Sequence, residues 1–274
     1  MIETEQNIAP PSSSQAQPTQ KRALTSLGSW SRRGAESTSG LVLLLALWEI
    51  IAVVLHRPSV LPGPWETLQA AGRLIASGTL QTDVFSSLSR VLEGFALAAA
   101  IAIPLGGAMG IIPWLRRIAH PVIELIRPIP PIAVIPLSIL WFGIGNVAQV
   151  FIVFYGAFFP MVVGVYGAFI SVDSIYGQAA ETLGCHGVEK FRRVTFMAAL
   201  PSVLMAVRIG LGLSFVALVA AELIGASSGL GYLVATSGTT FQTDDMFVGI
   251  LTIGVIGFAL NALVEALTRV LIRY

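Results

Sequence analysis

Few residues of this chain have the type and spacing that chemistry on a bound substrate requires. Its single cysteine, Cys185, excludes an intrachain disulfide and a cysteine-based metal site. The three histidines, His56, His120 and His186, lie far apart in the sequence and show no metal-ligand spacing. The phosphate-binding pattern GxxxxGK[ST] does not occur. We therefore expect no catalytic residue, no metal and no cofactor in this chain.

The most informative polar stretch runs from Gln178 to Gly212. It begins with small and apolar residues and then reaches Gly184, which can adopt a positive φ and end a short helix. The apolar face of that helix could lie in a groove of a soluble partner, or the stretch could be an ordinary interfacial loop. The residues of this face are Ala179, Ala180 and Leu183.

Charged residues frame the same stretch. Glu181, Glu189 and Lys190 could form ion pairs at the edge of a partner's groove, each contributing about 0–1 kcal/mol when exposed. Glu181 could instead cap its own helix. Packing of the small and apolar residues is therefore expected to contribute more to docking than these charges.

The elements that must position this stretch are membrane helices. Hydrophobic residues make up 55% of the chain and charged residues 11%, against about 25% in soluble domains. Six segments approach the roughly 20 apolar residues that a bilayer crossing needs. They are Gly40 to His56, Val91 to Ile112, Pro128 to Phe142, Val147 to Ile170, Pro201 to Gly225 and Met246 to Leu267. The sequence thus predicts an all-α polytopic membrane protein with about six transmembrane helices.

Basic residues predict the orientation of these helices, because basic loops remain in the cytoplasm. Thirteen lysines and arginines flank the ends assigned to the cytoplasm, and the opposite connections hold only Arg57, Arg73 and Arg90. Both termini are therefore predicted to be cytoplasmic. Residues 1–39, rich in Ser, Gln, Pro and Thr, are predicted to form a disordered cytoplasmic segment, and 40–274 the membrane domain.

The polar stretch resembles the coupling loop of bacterial ABC importer permeases, which reads Glu-Ala-Ala, three residues, Gly, nine residues, Ile, one residue, Leu-Pro. Ala179, Ala180 and Gly184 match this pattern, and Gln178 replaces the glutamate. Val194 stands for the isoleucine, and Phe196-Met197 for the Leu-Pro. Three further stretches resemble the nitrate, sulfonate, taurine and bicarbonate branch: Arg127 to Gly145, Arg208 to Gly212 and Val219 to Val234.

This resemblance implies a type I ABC importer permease fold in a bacterial inner membrane. It implies two cytoplasmic ATPase subunits that bind ATP and Mg²⁺, a second permease copy, expected as a homodimer, and an external solute-binding protein. Membrane lipid is the other partner, and nucleic acid is not expected. Residues 171–200 would form the coupling loop, with Gln178, Ala179, Ala180, Glu181, Leu183, Gly184, Glu189 and Lys190 in or beside the ATPase groove.

In such a permease, the solute pathway would be lined by kinked or polar positions. Proline removes a backbone donor and bends helices, and buried acids are costly in a membrane. The candidates are Pro130, Pro131, Ser138, Asn146, Gln149, Ser214 and Glu222. The branch implies a small anionic solute, but no lysine or arginine is expected in the middle of a span, since Arg127 and Arg208 lie toward the cytoplasmic side.

Three other interpretations remain open. An ion-coupled secondary transporter would need acids near the midplane, whereas the acids here cluster near span ends. An intramembrane enzyme would need a converging nucleophile and base. An ABC permease for a different cargo, such as an amino acid, is also compatible with the sequence.

Overall fold

The computed structural model describes residues 26–57 and 59–271, and most of them lie in helices. Its eleven α-helices and one π-helical segment, Phe191–Thr195, follow one another with short connections. The helices are α1 (Ser26–Leu55), α2 (Pro64–Ala76), α3 (Thr79–Ile111), α4 (Pro113–Ile126), α5 (Pro131–Phe142), α6 (Asn146–Ile170), α7 (Ser174–Thr182), α8 (Gly187–Lys190), α9 (Phe196–Gly225), α10 (Leu230–Thr239) and α11 (Thr243–Leu271).

Helix α1 belongs to a compact unit that ends at Val54, and Leu55 begins a second unit that contains all the other helices. The helix starts at Ser26, so it includes residues 26–39, which composition assigned to a disordered segment. Helix nucleation is the unfavourable step, and after it each further residue adds one hydrogen bond for the entropy of fixing one residue. The apolar part of α1 can therefore extend into the polar residues that precede it. Residues 1–25 of the predicted disordered segment lie outside the described residues.

Four helices of the described residues are long and apolar enough to cross a membrane: Thr79–Ile111, Asn146–Ile170, Gly187–Gly225 and Thr243–Arg269. A fifth crossing would combine α4 and α5, which are bent by 97° relative to each other. The predicted third span is thus not a straight helix, because α5 alone has 12 residues and reaches about 18 Å. The apolar helix Val42–Leu55 is shorter than the four long ones.

Close packing of α3, α6 and α9 forms the core of the second unit, and glycines permit it. A Cβ added at Gly106 of α3 would lie 2.7 Å from the carbonyl oxygen of Val162 in α6. A Cβ at Gly210 of α9 would overlap the Met161 side chain, whereas one at Gly212 would meet no atom within 4 Å. The small residues therefore set the distance between these helices. Such close packing is common between membrane helices, because no hydrophobic effect drives their association in lipid.

The directions of α6 and α9 give this unit two ends. Helix α6 runs from Asn146 to Ile170 and leads into the coupling loop, and α9 returns from the loop to Gly225. The coupling loop therefore lies at one end, and the start of α6 lies with the end of α9 at the other. We call the second of these the far end.

Candidate functional site

The coupling loop, residues 171–200, is folded by local hydrogen bonds. The Asp173 carboxylate accepts from the Ile175 amide at 2.9 Å and caps the start of α7. Gly184 has a φ of 80°, as predicted, and the Cys185 amide then donates to the Ala180 carbonyl at 2.9 Å. The loop consequently has a fixed shape, a short helix followed by a sharp turn and a second helix.

Its predicted contact residues divide into two groups. Leu183 is 87% exposed and Val188 is 82% exposed, and both lie beside the turn at Gly184. Gln178, Ala179, Glu181 and Glu189 are also exposed. Ala180, in contrast, is 5% exposed, because it faces the inside of the subunit. Its side chain therefore offers little surface to a partner, and its expected place beside an ATPase groove stays a prediction. Val188 is an exposed apolar residue that the sequence pattern did not single out.

The charged residues of the coupling loop pair with each other. Lys190 Nζ lies 2.7 Å from Glu181 Oε1, and Arg193 Nε lies 3.2 Å from Glu189 Oε1. The hydrogen bond from Lys190 and its positive charge hold the pKa of the Glu181 carboxyl below its usual value. The first pair joins α7 to the following helix, and the second lies within one helical turn. The charges are therefore already partly satisfied within the loop.

Aromatic rings connect the coupling loop to the long helices. Phe169, at the end of α6, stacks on Phe191 with ring centroids 6.0 Å apart. Phe196, at the start of α9, lies 6.3 Å from each of these two rings. The intervening π-helical segment, Phe191–Thr195, is the kind of irregularity that is frequent at functional sites. A displacement of the loop would therefore act on α6 and α9 together.

At the far end, a buried ion pair joins α3 to α9. Arg90 Nη1 lies 2.7 Å from Glu222 Oε1, with side chains 7% and 0% exposed. Ser87 donates to the same carboxylate from 2.8 Å. Helix α3 begins at Thr79, so Arg90 lies inside this helix, where it is buried. It does not belong to a connection between spans, where the sequence had placed it. The sequence indicated Glu222 as a candidate but did not indicate Arg90 as its partner.

This polar cluster also fixes the start of α10. Three consecutive amides at the beginning of that helix donate to side chains of α3 and α9. The bonds run from Gly229 N to Asp83 Oδ1 at 2.8 Å, from Leu230 N to Ser87 Oγ at 2.8 Å and from Gly231 N to Glu222 Oε2 at 2.9 Å. The carboxylates therefore hold α10 against the bundle.

Two predicted pathway residues from α6 extend the cluster. Asn146 Oδ1 accepts from Arg90 Nε at 2.8 Å. Gln149 donates to the Gly225 carbonyl at 2.8 Å, and its own Oε1 is buried without a hydrogen-bond partner among the described residues. Both side chains are therefore engaged in contacts among α3, α6 and the end of α9.

The two predicted serines make a different contact. Ser138 and Ser214 are both fully buried, and each donates at 2.7 Å to the carbonyl three residues earlier in its own helix. A hydroxyl used in this way satisfies itself locally. Neither serine faces an open pathway in this structure.

The two predicted prolines line a cavity of about 400 Å³. Pro130 and Pro131 form its edge at the start of α5, and apolar side chains of α6 and α9 form its walls. Arg127 belongs to the same lining, as do Tyr155 and Gly156, the tenth and eleventh of the 25 residues of α6. Arg127 thus shares a cavity with residues from the middle of a long helix, although the sequence placed it toward the cytoplasmic side of the spans.

Comparison with known proteins agrees with this arrangement. Residues 72–273 match the family described as the binding-protein-dependent transport system inner membrane component. A probable ABC transporter permease protein of Brucella melitensis is 41% identical over 215 residues, which are 78% of this chain and 87% of that protein. The taurine transport system permease protein TauC of Escherichia coli is 36% identical, over 87% of this chain and 89% of its own length. Other relatives are permeases named for aliphatic sulfonates and nitrate, as the resemblance predicted.

A solved structure shares the fold. The inward-facing MetNI methionine ABC transporter superposes with a TM-score of 0.64 at 19% identity, over 73% of this chain and 98% of that chain. The all-helical permease fold expected from the sequence is therefore confirmed, and the chain is a transport component rather than an enzyme. It belongs to the family of binding-protein-dependent inner-membrane components, the permeases of ABC importers.

Proposed function

We propose that this chain is the membrane-spanning subunit of an ATP-driven importer that moves a small anionic solute into the cell. Two cytoplasmic ATPase subunits bind ATP and Mg²⁺, two copies of this chain form a homodimer, and an external solute-binding protein delivers the cargo. The cargo is of the nitrate, sulfonate, taurine or bicarbonate type, in keeping with the names of the relatives. Both termini lie in the cytoplasm.

The observation that carries this proposal is the exposed apolar pair Leu183 and Val188. These residues stand on a loop of polar and charged residues, which is a poor surface for insertion into lipid. Burial of two such side chains in a protein groove contributes about 1.5–3 kcal/mol each. The preformed turn at Gly184 lowers the entropy cost of docking. An ATPase groove is the surface that this loop fits.

The same geometry supports a mechanical coupling between the ATPase subunits and the membrane helices. When ATP closes the two ATPase subunits, the coupling loop moves with them, and the aromatic contacts of Phe169, Phe191 and Phe196 pass the displacement to α6 and α9. The loaded binding protein and ATP must each favour one conformation over the other for transport to follow. This chain supplies the two-state element and the ATPase subunits supply the energy.

The decisive experiment is co-purification with the ATPase subunit from membranes that express the whole transporter. Leu183→Glu introduces a charge into the proposed contact, so the ATPase should be lost from the purified complex. Val60→Glu is the matched control, because Val60 is 57% exposed and lies in a connection remote from the coupling loop. Equal retention of the ATPase by both variants would reject the docking proposal.

The native cysteine tests the orientation without any substitution. Cys185 is half-buried, lies in the coupling loop and is the only cysteine in the sequence. An impermeant maleimide should label it in inverted membrane vesicles and leave it unlabelled in intact spheroplasts. Labelling in the spheroplasts alone would reverse the proposed orientation.

A further inference from the structure

We propose that the cavity beside Arg127 binds an organic anion, with the guanidinium group holding the anionic head and the cavity walls holding a short apolar tail. The proposal rests on the proposed import function and specifies its cargo. It assigns a binding residue, Arg127, and a chemical class of ligand. A small inorganic anion alone would leave most of this cavity unfilled.

The dimensions and lining of the cavity fit such a ligand. Small-molecule sites are typically concave spaces of about 300–1,000 Å³ with apolar walls and a few polar groups. This cavity measures about 400 Å³ and lies among α5, α6 and α9. Most of its lining is apolar, including Ile132, Phe159, Leu213, Val216 and Ala220.

Arg127 is the basic residue in this otherwise mostly apolar lining. The Arg127 side chain is 44% exposed, and its Nη1 is 3.4 Å from Glu124 Oε1, a loose ion pair that leaves most guanidinium donors for a ligand. Guanidinium groups bind carboxylates, sulfonates and phosphates through two parallel hydrogen bonds. Arg127 therefore supplies recognition for the anionic head.

Two backbone features reinforce the site. Helix α5 begins at Pro131 in the lining, so the end of the helix that carries the positive end of its dipole lies at the cavity. Tyr155 Oη lies 3.3 and 3.2 Å from the carbonyl oxygens of Ile126 and Ile129, where α4 ends. The single hydroxyl hydrogen is shared between these two carbonyls and lowers the negative partial charge that they present to an entering anion. The turn that carries Arg127 is held in place by the same contacts.

A thiol reagent that is itself an alkylsulfonate can probe this site in the full-length chain in native membranes. Val216 lines the cavity and is 67% exposed, so Val216→Cys places a thiol in it, in a Cys185→Ser background. The rates of modification by 2-sulfonatoethyl and 2-trimethylammonioethyl methanethiosulfonate are then compared. We expect the ratio of the anionic to the cationic rate to fall about five- to tenfold in Arg127→Gln. Arg127→Lys should retain much of the ratio.

Arg117→Gln is the matched control, because Arg117 is an exposed arginine of α4 that is not in the cavity lining. It should leave the ratio unchanged, and an equal fall in this variant would overturn the proposal. Butanesulfonate should slow the modification of Val216→Cys, and nitrate at the same ionic strength should slow it less. Equal protection by nitrate would refute the organic class of the ligand.

The experiment does not depend on ATP or on the partner subunits, so its result is separable from the test of ATPase docking. If lipid or the second copy fills the cavity, neither reagent will react at Val216→Cys. That outcome also overturns the proposal. A normal ATPase complex with an unreactive cavity would refute the binding site alone.

Discussion

The far end and the coupling loop use charged residues in opposite ways. At the far end, Arg90 and Glu222 are buried, and their hydrogen bonds join three helices and the start of a fourth. In the coupling loop, Glu181 and Lys190 form an ion pair whose side chains are 53% and 29% exposed. The first arrangement is costly to break, whereas the second exchanges readily with water or with a partner.

This difference gives the two ends of the subunit separate roles. A fixed far end keeps α3, α9 and α10 in register, while the coupling loop offers exposed apolar side chains on a shape held by a few local bonds. Segments that must move or dock are drawn from the less stable parts of a protein. The buried cluster is therefore expected to govern stability, and the loop is expected to govern association.

The largest expected effect comes from breaking the buried pair. Arg90→Met leaves the Glu222 carboxylate buried without its cation, which should lower the free energy of unfolding by about 3–5 kcal/mol. Thermal unfolding of the purified protein in detergent measures this loss. Combining it with Glu222→Leu removes the unpaired charge and should restore part of the stability. A loss below about 1 kcal/mol in Arg90→Met would mean that the pair does not hold the far end.

A smaller effect is expected from adding a methyl group to the contact between α3 and α6, which lies between the two ends. Gly106→Ala places a methyl group 2.7 Å from the Val162 carbonyl oxygen and should cost about 1–3 kcal/mol. Gly212→Ala is the control, because its methyl group meets no atom within 4 Å. It should stabilise the helix by about 0.5–1 kcal/mol. The same unfolding assay tests both, and effects of the same sign would contradict the packing described here.

The smallest effect is expected from the ion pair of the coupling loop. The pKa of Glu181 is lowered in the fold, so the pair contributes fully above the unfolded pKa of the carboxyl and is lost as the pH falls through the lower, folded pKa. Glu181→Gln should therefore change the unfolding midpoint by the same small amount at about pH 6 and at about pH 8. A difference that grows between these two pH values would contradict the assigned pairing.

The sequence predicts the long helices well, because hydropathy reports burial in lipid directly. The predicted spans Val147 to Ile170 and Pro201 to Gly225 differ from α6 and α9 only at their starts, by one and five residues. The prolines of the third span correctly indicated a distortion. Its form, a 97° bend between α4 and α5, depends on tertiary contacts such as those of Tyr155 and could not be read from composition.

The site was predicted less completely, because pairing across helices leaves little trace in one sequence. Arg90 directly precedes the apolar run of Val91 to Ile112 and therefore reads as a residue that flanks a span, although Glu222 compensates its charge 132 positions away. Ser138 and Ser214 look like pathway hydroxyls but are satisfied within their own helices. The signal for this cluster was an acid, Glu222, within an apolar span and within the stretch from Val219 to Val234 that resembles the permease branch.

Photo-cross-linking in the assembled transporter tests the central difference between the two ends most directly. Benzoylphenylalanine is placed at Leu183 in the coupling loop, or at Phe241, which is 84% exposed in the turn between α10 and α11. We predict an adduct with the ATPase subunit from position 183 and none from position 241. An ATPase adduct from position 241, or its absence from position 183, would contradict the account.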